Sequence, residues 1–254
     1  MTSRLDLNAD LGEHDGPPPP PARALLHIVT SVNIACGAHA GDAESMRLVV
    51  AEAAALGVQI GAHPSFPDRA GFGRRIVPMT MAAISDTVAQ QVSELGVIAS
   101  RQGAAMRHVK PHGALYNLAS RDRAVADTVV AGIIRTDASL ALYAPHGSAL
   151  AAAGAEGPLR VVDEGFLDRA YDDDGTLTPR DVPGAVLHDP EVACRRATTW
   201  AGSGLVRTRT GRLLALPLET LCVHGDTPDA VAIATRVREA LAAAGVSLVA
   251  ALQP

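Results

Sequence analysis

VNIACGAHAGDAESMRLVVAEAAALGVQIGAHP, residues 32–64, reads as one strand–helix–strand unit. Val32–Ala35 is apolar except for Asn33, a run too apolar for a strand with one face in water and in keeping with one covered on both faces. Ala43–Leu56 is Ala-rich and helical in spacing, with Asp42 placed to cap its start and Gly57 to stop it. Val58–Ala62 is a second apolar run, and it ends at His63-Pro64. Two such strands joined through a helix form a parallel βαβ unit.

The same grammar repeats outward from this unit. Strands are predicted at Leu5–Asn8, His108–Lys110, Leu140–Ala144, Leu159–Val162 and Thr220–Val223, with a short one at Ala185–Leu187. Helices are predicted at Met81–Gln102, Val125–Ile134, Ser148–Ala153, Glu191–Ala201 and Asp229–Ala244. Alternation of this kind predicts an α/β fold around a parallel sheet. The five prolines of Pro17–Pro21 read as a surface loop, because proline is excluded from helix interiors and central strands. Thr208–Arg212 reads as a hairpin turn. No linker and no internal repeat divides the chain, so residues 1–254 are expected to form a single domain.

Composition removes several classes of function. The chain has 254 residues, 48% hydrophobic and 19% charged, with a formal net charge of −5. That is too apolar for disorder and carries no basic excess for nucleic acid. No run approaches the roughly 20 apolar residues of a membrane span. MTSRLDLNADLGE (1–13) has acidic residues where a secretory signal has its apolar run. Cys36, Cys194 and Cys222 are too widely spaced for a disulfide framework or a zinc ribbon. The expectation is a soluble cytoplasmic protein with neither nucleic-acid nor membrane partners. Aromatic residues are only 3% of the chain, so the core must be built from Ala, Val, Leu and Ile. Of 22 cationic side chains, Lys110 alone is a lysine, which suggests a place where a compact ammonium fits and a guanidinium does not.

Polar residues collect just after the apolar runs: Asn8, Asp10 and Glu13; Cys36, His39 and Asp42; His63; Lys110 and His112; Asp163, Glu164, Asp168 and Arg169; His224 and Asp226. In parallel α/β folds the loops at the carboxyl ends of separate strands converge on the ligand site. Asp6, Asn8 and Asp10 alternate and so share one face of their strand. His108 stands two residues before Lys110 and can share its face too. Lys110, His112 and, one helical turn later, Tyr116 suit an anionic group. Arg169 can bind a carboxylate or pair with Asp168. Arg74 and Arg75 can hold an anion or face solvent. Cys36 is better explained as small buried packing than as a nucleophile. A Walker A loop, a complete G-x-G-x-x-G, H-E-x-x-H and G-x-S-x-G are all absent. General acid–base or metal-assisted chemistry by histidine and carboxylate remains.

Six segments carry a resemblance: LNADLGE (7–13), NIACGAHAGD (33–42), GAHPSFPDRAGFGRR (61–75), HVKPHGALYN (108–117), FLDRAYDDDGTL (166–177) and CVHGDTP (222–228). Together they resemble the LamB/YcsF family, in order, over nearly the whole chain. The resemblance implies a (β/α) barrel of about seven parallel strands, similar to the glycoside hydrolase and deacetylase barrels. It implies the A subunit of a prokaryotic 5-oxoprolinase, which with its B and C subunits converts 5-oxo-L-proline, ATP and water into L-glutamate, ADP and phosphate. Asp10, His39, His63, Lys110, His112 and His224 are then the candidate catalytic residues. Asn8, Glu13, Arg74, Tyr116, Arg169 and Asp226 are the candidates for substrate binding. ATP is the implied cofactor, with a divalent metal either accompanying it or held by Asp10, His39 and His63. Two other readings fit the same residues: a metal-dependent amide or N-acetyl hydrolase, and a substrate-binding component without chemistry of its own. The number of copies is open, a homo-oligomer included. The first loop runs through His14-Asp15-Gly16 into the prolines and Ala38 stands where the family usually has Phe, two departures that bear on pocket shape; Ser65-Phe66 stands where it has Gly-Tyr, and none of the three removes a candidate group.

Overall fold

The computed structural model describes residues 4–227 and 229–252, so Pro228, the last residue of the CVHGDTP segment, lies outside the described residues. Seven strands close into a parallel barrel in the order β1 (Arg4–Leu11), β2 (Ser31–Ala35), β3 (Gln59–His63), β4 (Met106–Val109), β5 (Ala141–Pro145), β6 (Val161–Phe166) and β9 (Thr220–His224), with β9 returning to pair with β1. The small antiparallel hairpin β7 (Leu205–Arg207) and β8 (Leu213–Ala215) lies outside the barrel, and β10 (Ser247–Leu248) adds to the start of β1. The helices are α1 (Pro20–Leu26), α2 (Ala43–Leu56), α3 (Met81–Arg101), α4 (Gly113–Ala119), α5 (Arg123–Thr136), α6 (Ala149–Glu156), α7 (Pro190–Ser203) and α8 (Ala230–Ala243).

The expected βαβ unit forms. Asp42 accepts from the Ser45 backbone N–H while the Ser45 hydroxyl accepts from Asp42 N–H, and Gly57 ends α2 in the left-handed region at φ 69°. The hairpin also forms where Thr208–Arg212 predicts a turn. Four details differ. Pro20 and Pro21 open α1 instead of lying in a loop, because a first-turn residue has no helical N–H partner to lose and Pro19 holds the extended conformation before it. The sixth strand runs to Phe166, not Val162: Glu164, which reads as a loop residue, points into the barrel and meets its partners there. Ala185–Leu187 makes only one isolated bridge, between Val186 and Arg169. Helix α4 and strand β10 carry no sequence signal strong enough to predict them.

The two faces of the barrel wall differ in chemistry. Leu5, Leu7, Ala9 and Leu11 of β1 pack outward into the main apolar cluster with the helices. Asp6, Asn8 and Asp10 point inward, as the period of two requires. At the amino-terminal end of the lumen, Asp6 accepts hydroxyl hydrogen bonds from Thr30 (2.6 Å), Ser31 (2.7 Å), Thr220 (2.6 Å) and Tyr143 (3.2 Å). Ala251 and Leu252 pack against Ala141, Tyr143 and Val162 and close that end. Above this layer the His108 ring stacks on Tyr143 at 4.1 Å and fills the space left by Gly61 on β3. A methyl group at position 61 would fall within the His108 ring. Gly61→Ala is therefore expected to lose about 1–3 kcal/mol of stability through overpacking. Urea denaturation at neutral pH reads this directly, and a loss below about 0.5 kcal/mol would contradict the packing.

Candidate active site

Lys110 follows β4 and projects its ammonium into the lumen. Its Nζ donates to Asp10 Oδ1 at 2.9 Å, to Cys222 Sγ at 3.0 Å and to Asn8 Oδ1 at 3.4 Å, and it forms an ion pair with Glu164 Oε1 at 2.8 Å. Burial alone would push this amine down, but Asp10, Cys222 and Glu164 override it and hold it well above its ordinary value. Cys222 is buried and stays a thiol, since burial and the Asp10 charge raise it well above its usual range. Asp10 is buried as well. That works against its ionisation, yet His63 and Lys110 keep it well below the usual carboxylate range. Asn33 Nδ2 donates to Asp10 at 2.8 Å and to Asn8 at 2.7 Å, and Asn8 in turn donates to Glu164 and Thr220. Tyr116 OH donates to the other oxygen of Glu164 at 2.7 Å.

Beside this group lie three histidines: His39 from the loop after β2, His63 at the end of β3 and His112 from the loop after β4. His63 Nε2 is 2.9 Å from His112 Nδ1 and 3.4 Å from Asp10 Oδ2. His39 stacks on His112 with centroids 3.9 Å apart, and its Nε2 is 3.4 Å from Glu13 Oε1. The ligand atoms of Glu13, His39, His63 and His112 all lie within 4.8 Å of one another. Burial keeps His39 neutral down to about 3, with the nearby His63 adding to the effect. Burial likewise depresses His112 well below 6.5. Glu13 moves the other way, raised to about 7 by burial and by the Asp10 charge.

A cavity of about 320 Å³ opens on this cluster, with Asp10, His63, Lys110, His112 and His224 at its inner wall and Arg74, Arg121 and Arg180 among its lining. His224 at the end of β9 binds Asp168 through Nδ1 at 2.8 Å, and Thr227 Oγ1 supports the same carboxylate. Asp168 is brought down to about 2, because His224 and Thr227 outweigh the effect of its burial.

The structure thus brings five of the six candidate catalytic residues to one cavity wall, with His39 behind them. The binding candidates divide. Tyr116, Arg74 and Arg169 line the cavity, whereas Asn8 and Glu13 do not. Asn8 sits beneath the floor as a positioning residue. Glu13 faces the histidines. Arg169 spends two donors on Thr178 O and Ala185 O, which pins residues 169–185, and Asp226 pairs with Arg74. Arg75 is held by Asp68. The metal trio read from the sequence is divided: Asp10 reaches His63, but the group around His39 and His63 is completed by Glu13 and His112. Cys36 is packing, as expected, with its thiol pushed up to about 12 by burial. The sequence places Glu164 and Asp168 only within a polar segment and gives neither a role. Strand parity, which sets Glu164 inward with Phe166, is the signal that could have found the first of them.

A LamB/YcsF family profile matches residues 5–254. The chain belongs to the LamB/YcsF family. Over 246 residues it is 48% identical to the A subunit of 5-oxoprolinase from Symbiobacterium thermophilum, covering 96% of this chain and 94% of that one. It superposes on the crystal structure of the lactam utilization protein of Thermus thermophilus with a TM-score of 0.91 and 39% identity, over 98% of this chain and 100% of that one. A polysaccharide deacetylase of Bacillus cereus, 16% identical, shares the fold at a TM-score of 0.50 over 98% of this chain and 92% of that one. Within this LamB/YcsF chain, the departure at Ser65 lies inside the histidine cluster, where its hydroxyl is 2.9 Å from His39 Nδ1. No helix among the described residues is long and apolar enough to cross a membrane.

The lumen histidine behind the site gives a test of its burial. His108 bonds Asn33 at 2.8 Å, and burial lowers it to about 3, with Lys110 contributing. The folded value is below the unfolded one, so its stabilising effect is full above about pH 6.5 and is lost as pH falls toward 3. His108→Gln is expected to flatten the decline of stability between roughly pH 6 and pH 4 by up to about 1.4 kcal/mol per pH unit. Urea titrations across that range check it, and parallel curves for the two proteins would contradict it.

Proposed function

We propose that this chain is the A subunit of a cytoplasmic ATP-dependent 5-oxoprolinase. In concert with the B and C subunits it opens 5-oxo-L-proline to L-glutamate as ATP is hydrolysed to ADP and phosphate. The observation that carries the reading is the inner wall of the cavity. An ionised Asp10, the His63–His112 pair and an Asp168-oriented His224 face one space, in a chain 48% identical to a protein named for this activity.

A five-membered lactam resists water because amide resonance makes its carbonyl a poor electrophile. Phosphorylation of the lactam oxygen at the expense of ATP removes that resonance and supplies a leaving group. The chain carries no familiar nucleotide motif, so the reading assigns the ATP chemistry in part to its partners. Its own residues then handle an activated, anionic substrate. Arg74, Arg121 and Arg180 offset substrate negative charge at the cavity lining. Water attacks the ring carbonyl carbon and passes a proton to Asp10, the ring C–N bond breaks as the nitrogen takes up a proton relayed by His224, and a second water splits the resulting γ-glutamyl phosphate into L-glutamate and phosphate. Asp168 holds the His224 ring by Nδ1 and leaves Nε2 for that transfer. Lys110 does not approach the substrate as a free ammonium. It fixes Asp10 and Glu164 and adds positive charge where an oxyanion develops.

The test is ATP-dependent glutamate release by the co-purified three-component complex. Asp10→Asn and His224→Gln are each expected to lower kcat by about 10²–10⁴-fold while the complex still assembles. Full activity in Asp10→Asn would overturn the assignment.

A further inference from the structure

The hydrogen bonds around the three histidines assign their protons. His63 Nδ1 is 2.7 Å from Lys110 O, and His112 Nε2 is 2.9 Å from Phe72 O. A carbonyl only accepts, so both of these ring nitrogens carry hydrogen. His39 Nδ1 faces Ser65 Oγ at 2.9 Å, and the Ser65 hydroxyl gives its one proton to Phe66 O at 2.9 Å, so Nδ1 of His39 is a donor as well. When each ring carries only that one proton, the remaining nitrogen presents a lone pair: His39 Nε2, His63 Nε2 and His112 Nδ1.

These lone pairs converge. His63 Nε2 and His112 Nδ1 are 2.9 Å apart, acceptor facing acceptor. Glu13 Oε1 adds a carboxylate oxygen 3.4 Å from His39 Nε2 and 3.6 Å from His112 Nδ1. Asp10 Oδ2 lies 3.4 Å from His63 Nε2 on the other side. With those three ring protons turned outward, the atoms of His39, His63, His112 and Glu13 that face this space are acceptors, apart from any proton that Glu13 itself carries. A buried knot of acceptors without a donor is costly unless something positive occupies its centre. Outward N–H groups tied to protein acceptors, with lone pairs aimed inward, are also how proteins orient metal-ligating histidines.

We propose that Glu13, His39, His63 and His112 form a binding site for one divalent transition-metal ion. Three neutral imidazoles and one carboxylate suit a borderline cation such as zinc, cobalt or manganese, and suit magnesium and calcium poorly, since those prefer oxygen ligands. The set differs from the second group of candidate ligands in the lumen, Asp10, Cys222 and His224, whose Cys222 sulfur and Asp10 oxygen are already engaged by Lys110. Because His63 and His112 also line the cavity, the ion would border the space where the ligand sits. The proposal stands apart from the 5-oxoproline reading, and its test uses no substrate.

The experiment is cobalt titration of the chelator-stripped full chain, followed by visible absorption and by metal analysis after gel filtration. The expected result is one equivalent of Co²⁺ per chain, with d–d bands of a four- or five-coordinate site and no thiolate-to-metal charge-transfer band. Zinc should displace it, whereas a large excess of magnesium should not. Glu13→Gln, which preserves shape, is expected to weaken binding by at least about tenfold, and His112→Ala by more; His146→Ala, outside the cluster, should bind as the wild type does. Circular dichroism confirms that each variant is folded. No uptake by the wild type would overturn the proposal and leave a proton shared between His63 and His112 as the charge that joins them. A charge-transfer band abolished by Cys222→Ser would overturn it by placing the ion in the other group.

Discussion

The ammonium of Lys110 holds the interior of this barrel together. Taking a cation out of water costs several kcal/mol, and two carboxylates in the same low-dielectric space would repel each other without it. Set between Asp10 and Glu164, with Cys222 sulfur and the Asn8 amide oxygen as further acceptors, the lysine resolves both problems. A planar guanidinium carries five donors in a rigid fork and would leave some unmatched in so small a space. That accounts for the single lysine in a chain that otherwise uses arginine for every cation. The three charges join strands β1, β4 and β6, which do not pair with one another in the barrel wall. Their attraction therefore acts across the lumen, where backbone hydrogen bonds cannot.

A (β/α) barrel usually fills its lumen with branched apolar side chains. Above the apolar plug of Ala141, Val162, Ala251 and Leu252, this one is mostly polar: hydroxyls around Asp6, then the Asn8, Asn33 and His108 layer, then the Lys110 group. Stability must come from elsewhere, and it comes from the outer shell, where the other face of each strand packs against the helices. The polar layers are nearly saturated with hydrogen bonds, which removes the cost of burying them and leaves each side chain one orientation. Asn33 shows how tightly the layers are linked: its amide donates to Asn8 and Asp10, and its carbonyl oxygen faces His108. The Asp10 carboxylate at the cavity wall is thus positioned by amides that never meet the cavity.

This division explains what is legible in the sequence. Periodicity is enough for the βαβ order, because the outer face of each strand and the inner face of each helix follow apolar rules. The strand ends are legible for the same reason, since His63, Lys110 and His224 break an apolar run at its carboxyl end. Glu164 and the far end of β6 are not. A charged residue in a strand reads as a turn unless its partner is known, and the partners of Glu164 lie at Lys110 and Tyr116. Glu13 is legible as a candidate but not in its place, because only closure of the barrel sets the first loop against the histidines that follow β2, β3 and β4. Proline behaves similarly: Pro20 and Pro21 obey the rule for helix interiors by standing at the first turn, a position that spacing alone does not reveal.

The resulting site has two electrostatic characters that the fold keeps apart. Toward the lumen, Lys110 compensates carboxylates that would otherwise be costly to bury. Toward the rim, Glu13 is raised to about 7 while His39 and His112 are depressed, so groups that can exchange a proton or accept a cation sit beside the cavity. Asp10 lies on the boundary, with one oxygen bound to Lys110 and Asn33 and the other turned to His63. Its first oxygen is fixed by the scaffold. Any change at its second oxygen, whether a proton, a water or a ligand, is felt through His63 by His112, and through His112 by Glu13 and His39. The alternation of Asp6, Asn8 and Asp10 along one strand therefore does more than line a lumen: it runs from a sealed end, through a neutral amide layer, to a carboxylate that faces both the scaffold and the cavity.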